Sequence, residues 1–292
     1  MSEIVVGLHD VAGSLGALRW AFQQAQDTGA QLTTVHVWRL PVHLEVTLDL
    51  TTRTALADSF DGAEAGPAPL MAAVGLPGQP GVVLVERARE ADLLVVARNH
   101  HVLPHGSVSE YCLHHSATPV AVIPDVPNRW TAQPRCVVVG VDLTDDAAAA
   151  LRWAARQARA SGAELIALHS WQVGACSISD LGRRAKTRQA QQEHHEQHAQ
   201  RWVESVLGPS GADDVRLTVE HGAPLDHLLA WADQADVLVL AAPGHHAVPR
   251  LLTGSTSGQL AHLGLCPVVV VPTAKRATPA TDRAPDRRRP GR

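Results

Sequence analysis

The chain has 292 residues, 45% of them apolar, which is enough for two cores of ordinary domain size rather than one oversized core. Its formal net charge of -4 excludes a whole-molecule field that would attract nucleic acid or an anionic membrane, so we expect small-molecule or neutral partners. The cysteines Cys112, Cys136, Cys176 and Cys266 are widely scattered and form no CxxC pair. They are interpreted as buried thiols in a reducing compartment.

The amino-terminal residues MSEIVVGLHD lead directly into a predicted strand. They have neither the basic region nor the apolar stretch and small-residue cleavage site of a secretory signal. No uninterrupted apolar run approaches the roughly 20 residues that a membrane-spanning helix needs. These features predict a cytoplasmic protein.

The chain contains an internal repeat. Shifted by 133 residues, Ile4–Trp38 matches Val137–Trp171 at 15 of 35 positions without a gap. A shift of 144 pairs ADLLVVA with ADVLVLA, and a shift of 148 pairs GSVS with GSTS and PVAVIP with PVVVVP. The period is far longer than that of a solenoid repeat, so each copy is expected to be a whole domain.

Composition marks the boundaries between these copies. We predict a first domain over 1–124, a proline-containing linker over 125–135 and a second domain over 136–273. The arginine-rich remainder, 274–292, has no apolar periodicity and is predicted to be a disordered basic tail.

In the second copy, short β-rich runs alternate with longer helical runs, and the helix that begins at Asp145 is expected to be capped by that aspartate and to end at Gly162. The predicted elements in chain order are strand Val137–Val141, helix Asp145–Ala160, strand Leu165–Ser170, helix Ser179–Leu207, strand Val215–Glu220, helix Leu225–Gln234, strand Val237–Ala241, helix Ser255–Leu263 and strand Val268–Val271. The pattern predicts an α/β protein with two tandem doubly wound domains, each with a five-stranded, mainly parallel sheet. Any ligand is expected at the carboxyl ends of the strands, near the switch in strand order.

Four small residues at the start of the predicted helix Ser255–Leu263 are candidates for binding an anion. Gly254, Ser255, Thr256 and Ser257 would offer unpaired backbone N–H groups, hydroxyls and the positive end of the helix dipole. These groups suit phosphate oxygens. Glycine followed by serine is equally a good helix N-cap, and the residues alone leave both interpretations open.

The spacing around this segment resembles the universal stress protein family. The nucleotide loop of that family has Gly, two residues, Gly, nine residues, Gly and then Ser or Thr, before a helix and a PVLVV-like strand. This sequence has Ala241, Gly244, Gly254 and Ser255 at those spacings, followed by PVVVV. VVVGVDLTDDAAAALRWAARQA, Val137 to Ala158, is similar to the first strand and helix of the family.

The resemblance implies an adenine nucleotide alpha hydrolase-like fold that binds ATP, with Mg²⁺ possible beside it, and a dimer made through the last strand. The two copies would pack as a pseudo-dimer, and a homodimer of whole chains is open. Asp142 would contact the ribose or base with Val141 beside it, and Gly244, Gly254, Ser255, Thr256 and Ser257 would hold the phosphates. Ala241 replaces the first glycine of the loop, and its methyl group would crowd the approach of phosphate to the backbone.

The first copy departs further from the family pattern. His9 stands in the place of Asp142, Ala97 in the place of the first glycine, and His100 near the second. The loop up to Gly106 is four residues shorter than in the second copy, so we expect this copy to bind nucleotide weakly or not at all. Its GSVS segment is interpreted as a helix cap that packing still requires.

Two other classes of function are suggested by particular residues. His194, His195 and His198 invite a metal site, but HHEQH is not the HExxH pattern and no obvious third ligand accompanies the shared helix face, so no metal is predicted. No Walker-type GK[ST] occurs, which disfavours a rapid ATPase and leaves slow ATP hydrolysis open. A binding and regulatory role in the stress response is predicted, with an interaction module that has lost nucleotide binding as the alternative.

Overall fold

The computed structural model describes residues 2–8, 11–38, 70–98, 107–124, 136–172, 181–242, 260 and 264–273. These residues form one ten-stranded sheet in the order β3-β2-β1-β4-β5-β10-β9-β6-β7-β8, with helices against it. Strands β1–β5 with their helices are called the first half below, and β6–β10 with theirs the second half. Within each half every strand pairing is parallel, which confirms the predicted fold class.

Among its described residues, the first half contains five strands and three helices. In chain order they are β1 Glu3–Leu8, α1 Val11–Thr28, β2 Gln31–Trp38, β3 Met71–Pro77, α2 Pro80–Arg87, β4 Leu93–Ala97, α3 Val108–His115 and β5 Val120–Ile123. Its strand order, β3-β2-β1-β4-β5, reverses direction between β1 and β4.

The second half repeats this order and carries a long helix after its second strand. Its described elements are β6 Cys136–Val141, α4 Asp145–Ser161, β7 Glu164–Trp171, α5 Leu181–Leu207, α6 Pro209–Ala212, β8 Val215–His221, α7 Pro224–Ala232, β9 Val237–Ala241 and β10 Val268–Val271. The short helix α6 was not predicted. The predicted helix Ser255–Leu263 falls, apart from Leu260, outside the described residues.

The two halves meet at their last strands. Strand β10 pairs antiparallel with β5, and Val269 lies opposite Ala121. On one face of the joined sheet, helices α1 and α4 pack side by side, and the buried Gln157 on α4 donates a hydrogen bond to Gln24 on α1. The core therefore continues from one half into the other, as it does between the subunits of a dimer.

Local sequence explains where the helices of the second half begin and end. Helix α4 begins after Thr144, whose hydroxyl accepts from the Ala147 amide, and this corrects the prediction that Asp145 is the cap. Asp145 instead lies in the first turn, where its charge favours the helix dipole. Gly162 ends the helix in the left-handed conformation at φ 65°, as predicted.

Burial follows the predicted apolar pattern. Trp20 and Trp153, at matching places in the two halves, are 4% and 8% exposed and belong to the core on the α1 and α4 face. Cys112, Cys136 and Cys266 are buried, and burial raises the pKa of Cys112 to about 12. Among the helices of the described part of the chain, none combines the length and apolar character needed to cross a membrane.

Candidate functional site

The reversal of strand order in the second half lies between β6 and β9. The two strands are parallel neighbours, with Val139 opposite Val239, so their carboxyl ends, Val141 and Ala241, come to the same edge of the sheet. In doubly wound sheets the helices that follow such neighbouring strands leave on opposite faces and open a crevice at this point. Residues Val141, Asp142 and Ala241, which the sequence assigns to the site, therefore lie at the edge of the sheet where such a crevice is expected.

A strained turn follows β6 at this edge. Leu143 has φ 62°, the only positive φ at a non-glycine residue within the described ranges. The exposed carboxylate of Asp142 accepts from the Thr144 amide at 3.2 Å and from the Thr144 hydroxyl at 2.5 Å. A non-glycine residue in this conformation costs about 1–3 kcal/mol and persists only where its surroundings hold it. The bonds from Thr144 hold the Asp142 carboxylate within the turn that directly follows β6.

Two histidines support the strand end from which this turn starts. The Nδ1 atom of buried His169 lies 3.0 Å from the carbonyl oxygen of Val141. Since a carbonyl only accepts, Nδ1 carries the proton and the Nε2 of a neutral His169 is an acceptor. The Nδ1 atom of His195, on α5, lies 3.4 Å from that Nε2 and can donate to it. The two rings thus link α5 to the edge of the crevice.

The same part of α5 contacts the end of β7. The ring of His195 stacks on Trp171 at 4.8 Å between centroids, and His221 meets Trp171 edge-on at 4.6 Å. Gln192 accepts from the Trp171 indole at 2.7 Å and donates to the Val219 carbonyl of β8 at 2.8 Å. Burial, followed by the neighbouring His169, His194 and His198, lowers the pKa of His195.

The remaining predicted site residues are not described. Gly244, Gly254, Ser255, Thr256 and Ser257 lie outside the described residues. The first half shows what one equivalent residue does, because Ser107 matches Ser255 at the shift of 148. Buried Ser107 is the N-cap of α3 and accepts from the Glu110 amide at 3.1 Å, which is the cap role expected for GSVS in that half.

The equivalent crevice of the first half lies between β1 and β4, at Leu8 and Ala97. His36 matches His169, and its Nδ1 lies 3.2 Å from the Leu8 carbonyl, so the bond from histidine to the strand end recurs. Arg98 follows β4, and its guanidinium lies so close to Gly264 of the second half that a Cβ there would force the Arg98 side chain to move. The contact joins the crevice edge of one half to the loop before β10 of the other.

Two exposed histidines of α5, His194 and His198, lie beside His195. His194 and His198 lie one turn apart with ring centroids separated by 6.3 Å. Across the described residues, no group of three histidine, cysteine or carboxylate side chains is arranged to hold a metal ion.

The model of the universal stress protein family matches residues 1–124 and 135–272, nearly the whole chain outside the linker and the tail. The chain belongs to the universal stress protein family. Universal stress protein Rv2623 of Mycobacterium tuberculosis is 28% identical over 290 residues, which cover 91% of this chain and 95% of that protein. A universal stress protein of Mycolicibacterium smegmatis is 30% identical over 142 residues, 46% of this chain. The first curated relatives are matched over only about half of their length, 47% and 52%.

Solved structures agree in fold. The universal stress protein from Archaeoglobus fulgidus superimposes with a TM-score of 0.63 at 19% identity, covering 93% of this chain and 96% of that one. Other universal stress proteins have been solved in complex with cAMP and, from Arabidopsis thaliana, with AMP bound; these match about half of this chain.

Sequence reasoning missed the two histidines that support the site. The available signal for His169 was that the repeat has a histidine at the same place, His36. The carbonyl that each of these histidines contacts lies 28 residues earlier in the chain, so the sequence does not show the contact. His195 was considered only as a metal ligand, and nothing in its helical spacing indicates a contact with His169 on another element.

Proposed function

We propose that the second half binds an adenine nucleotide, ATP in the first place, and that the chain acts as a nucleotide-dependent regulator in the stress response of the cytoplasm. The observation that carries the proposal is the switch in strand order between β6 and β9, where the exposed Asp142 directly follows the end of β6. A carboxylate in this place can accept hydrogen bonds from the ribose hydroxyls. Gly244, Gly254, Ser255, Thr256 and Ser257 are proposed as the phosphate-binding residues, and Mg²⁺ would accompany the triphosphate.

The described residues fit the sugar end of such a ligand. Strain at Leu143 and the bonds from Thr144 fix the carboxylate before the ligand arrives, so binding would lose little conformational entropy there. Ala241 is half-buried and carries a methyl group where the family pattern has glycine. Because the first half has His9 in the place of Asp142 and a shorter loop, we expect a single nucleotide per chain, held by the second half.

We propose in addition that the domains are 1–124 and 136–273, joined by the linker 125–135 and followed by the tail 274–292. The antiparallel pairing of β5 with β10 supports a pseudo-dimer of the two domains within one chain.

The first test is to denature the purified chain, identify the released small molecules and count adenine nucleotide per chain, before and after incubation with excess ATP. One nucleotide per chain supports a site in the second half, and two would show that the first half binds as well. No nucleotide under either condition would contradict the proposal and leave an interaction module that has lost the ligand.

Substitutions then test the role of Asp142. Asp142→Ala removes the carboxylate and both of its bonds to Thr144, whereas Thr144→Ala removes only the bond from the hydroxyl and keeps the carboxylate and the bond from the backbone amide. We expect Asp142→Ala to weaken nucleotide binding by about tenfold or more, as loss of charge-assisted hydrogen bonds does, and Thr144→Ala to weaken it much less. Equal losses would mean that Asp142 only shapes the turn.

A further inference from the structure

We propose that His169 and His195 are positioning residues of the nucleotide site, through which the long helix α5 fixes the strand end and turn that present Asp142. This inference rests on the proposed nucleotide binding and adds to it two residues that would not touch the ligand. Helix α5 contacts β8, which lies on the opposite side of β7 from β6. It would nevertheless contribute to the affinity of the site for nucleotide.

The first step is the bond between His169 and the end of β6. Val141 and His169 are the last register pair of the β6–β7 ladder, so no further strand pairing holds the chain beyond them. The His169 ring donates to the Val141 carbonyl from a buried position, 7% exposed, where water does not compete for that oxygen. The bond fixes the last peptide group before Asp142 and the strained Leu143.

The second step is the orientation of the His169 ring by His195. An imidazole can rotate about its side-chain bonds, and the hydrogen bond at the other ring nitrogen decides which orientation and tautomer it adopts. With the Nδ1 proton of His195 directed at Nε2 of His169, the protonated nitrogen of His169 is held toward Val141. His195 is itself held by stacking on Trp171, which is 5% exposed and donates to Gln192 on the same helix.

The third step is the attachment of this helix segment to the sheet. Gln192 donates to the Val219 carbonyl on β8, so the segment that carries His195 is bound to both β7 and β8. A displacement of α5 would withdraw His195 from His169 and free the His169 ring. The support of the crevice edge therefore depends on where α5 lies.

Graded substitutions separate positioning from general stability. His169→Ala removes the donor, whereas His169→Asn places an amide N–H where Nδ1 was and keeps the bond to Val141. We expect His169→Ala to raise the Kd for ATP by about tenfold, because the hydrogen bond that positions the end of β6 is lost. His169→Asn should keep the Kd within about threefold of that of the unsubstituted chain. Hydrogen exchange at the Thr144 amide, which is bonded to Asp142, should accelerate in the first variant and not in the second.

The repeat and the helix supply matched controls. His36→Ala breaks the equivalent bond to Leu8 in the first half and should leave the Kd unchanged. His195→Ala should weaken binding by about threefold, the smaller loss of an indirect contact, and His194→Ala, its exposed neighbour, should not. His195→Ala also keeps the test decisive if truncation of the buried His169 prevents folding.

The outcomes distinguish this inference from the proposed function. If the unsubstituted chain binds no adenine nucleotide, both are overturned. If it binds, but His169→Ala and His195→Ala bind as tightly as His36→Ala and His194→Ala, the positioning role alone is overturned. Equal weakening by His169→Ala and His169→Asn would also overturn it, because the effect would then not follow the bond to Val141.

Discussion

Gln157 donates from its side-chain amide to the side-chain oxygen of Gln24, and these two residues occupy the same place in the two copies of the repeat. The pair lies buried between α1 and α4, 7% and 8% exposed. A residue that contacts its own repeat equivalent marks the pseudo-two-fold axis between the halves. The axis passes through a polar pair inside an otherwise apolar contact.

The first prediction concerns this pair. Gln157→Leu leaves the buried amide of Gln24 without its partner and should lower the free energy of unfolding by about 1–3 kcal/mol. The double variant with Gln24→Leu removes both polar groups and should recover most of that loss, since two leucines pack in the same space. Urea denaturation of the four proteins gives the coupling energy, and strictly additive losses would show that the bond contributes nothing.

The second prediction concerns the contact of Arg98 with Gly264 across the halves. Gly264 and Gly162 have nearly the same left-handed conformation, φ 62° and 65°, but a Cβ at Gly162 meets open space and one at Gly264 meets the Arg98 guanidinium. Gly162→Ala should therefore lower the free energy of unfolding by about 1 kcal/mol, the cost of that conformation alone. Gly264→Ala should lower it by about 1 kcal/mol more, because the guanidinium must move.

The Arg98→Ala variant tests whether the Arg98 side chain causes the additional loss in the free energy of unfolding at Gly264. In its background, Gly264→Ala should lower the free energy of unfolding no more than Gly162→Ala does, as measured by chemical denaturation of each pair. An excess that persists without the Arg98 side chain would mean that the collision is not its cause.

Much of the fold was predictable because its signals are local. The buried strand β9 is apolar on both faces and is bounded as predicted, Val237–Ala241, and Gly162 ends α4 because the left-handed position favours glycine. The cap at Thr144 was missed because Asp and Thr are both good caps, and only the path of the backbone decides between them. Contacts between elements, such as that of His169 with His195, leave no periodic signal in the chain.

The third prediction concerns Glu3, whose contribution to the free energy of unfolding should decrease in acid. Its carboxylate accepts from Arg87 at 3.1 and 2.5 Å, and the hydrogen bond from Arg87 lowers the pKa of Glu3 below 4.5. A depressed pKa means that the stabilisation is fully present above the unfolded pKa and is lost as pH falls through the folded one. Glu3→Gln should therefore lower the free energy of unfolding by about 1.5 kcal/mol at pH 7, and the difference should shrink below pH 4.5.

An exposed ion pair provides the control for Glu3. The side chains of Arg89 and Glu86 lie 3.0 Å apart but are 56% and 63% exposed, so Glu86→Gln should change the free energy of unfolding by less than about 0.5 kcal/mol. Denaturation at several pH values measures both variants. A Glu3→Gln difference that is constant between pH 7 and pH 3 would contradict the assignment.

The fourth prediction concerns His195, whose contribution to the free energy of unfolding should change at a higher pH than that of Glu3. Burial first, and then the nearby His169, His194 and His198, lower the pKa of His195 below its ordinary value of 6.5. The unfolded chain then binds the proton more readily than the folded chain. The contribution of His195 to the free energy of unfolding is therefore fully present above about pH 6.5, and it is lost as pH falls through the folded pKa. The free energy of unfolding should decrease from pH 7.5 to pH 5.5, and His195→Gln should flatten part of that decrease.

His194→Gln controls for replacing an exposed imidazole on the same helix, and parallel curves for His195→Gln and the unsubstituted chain would refute the prediction.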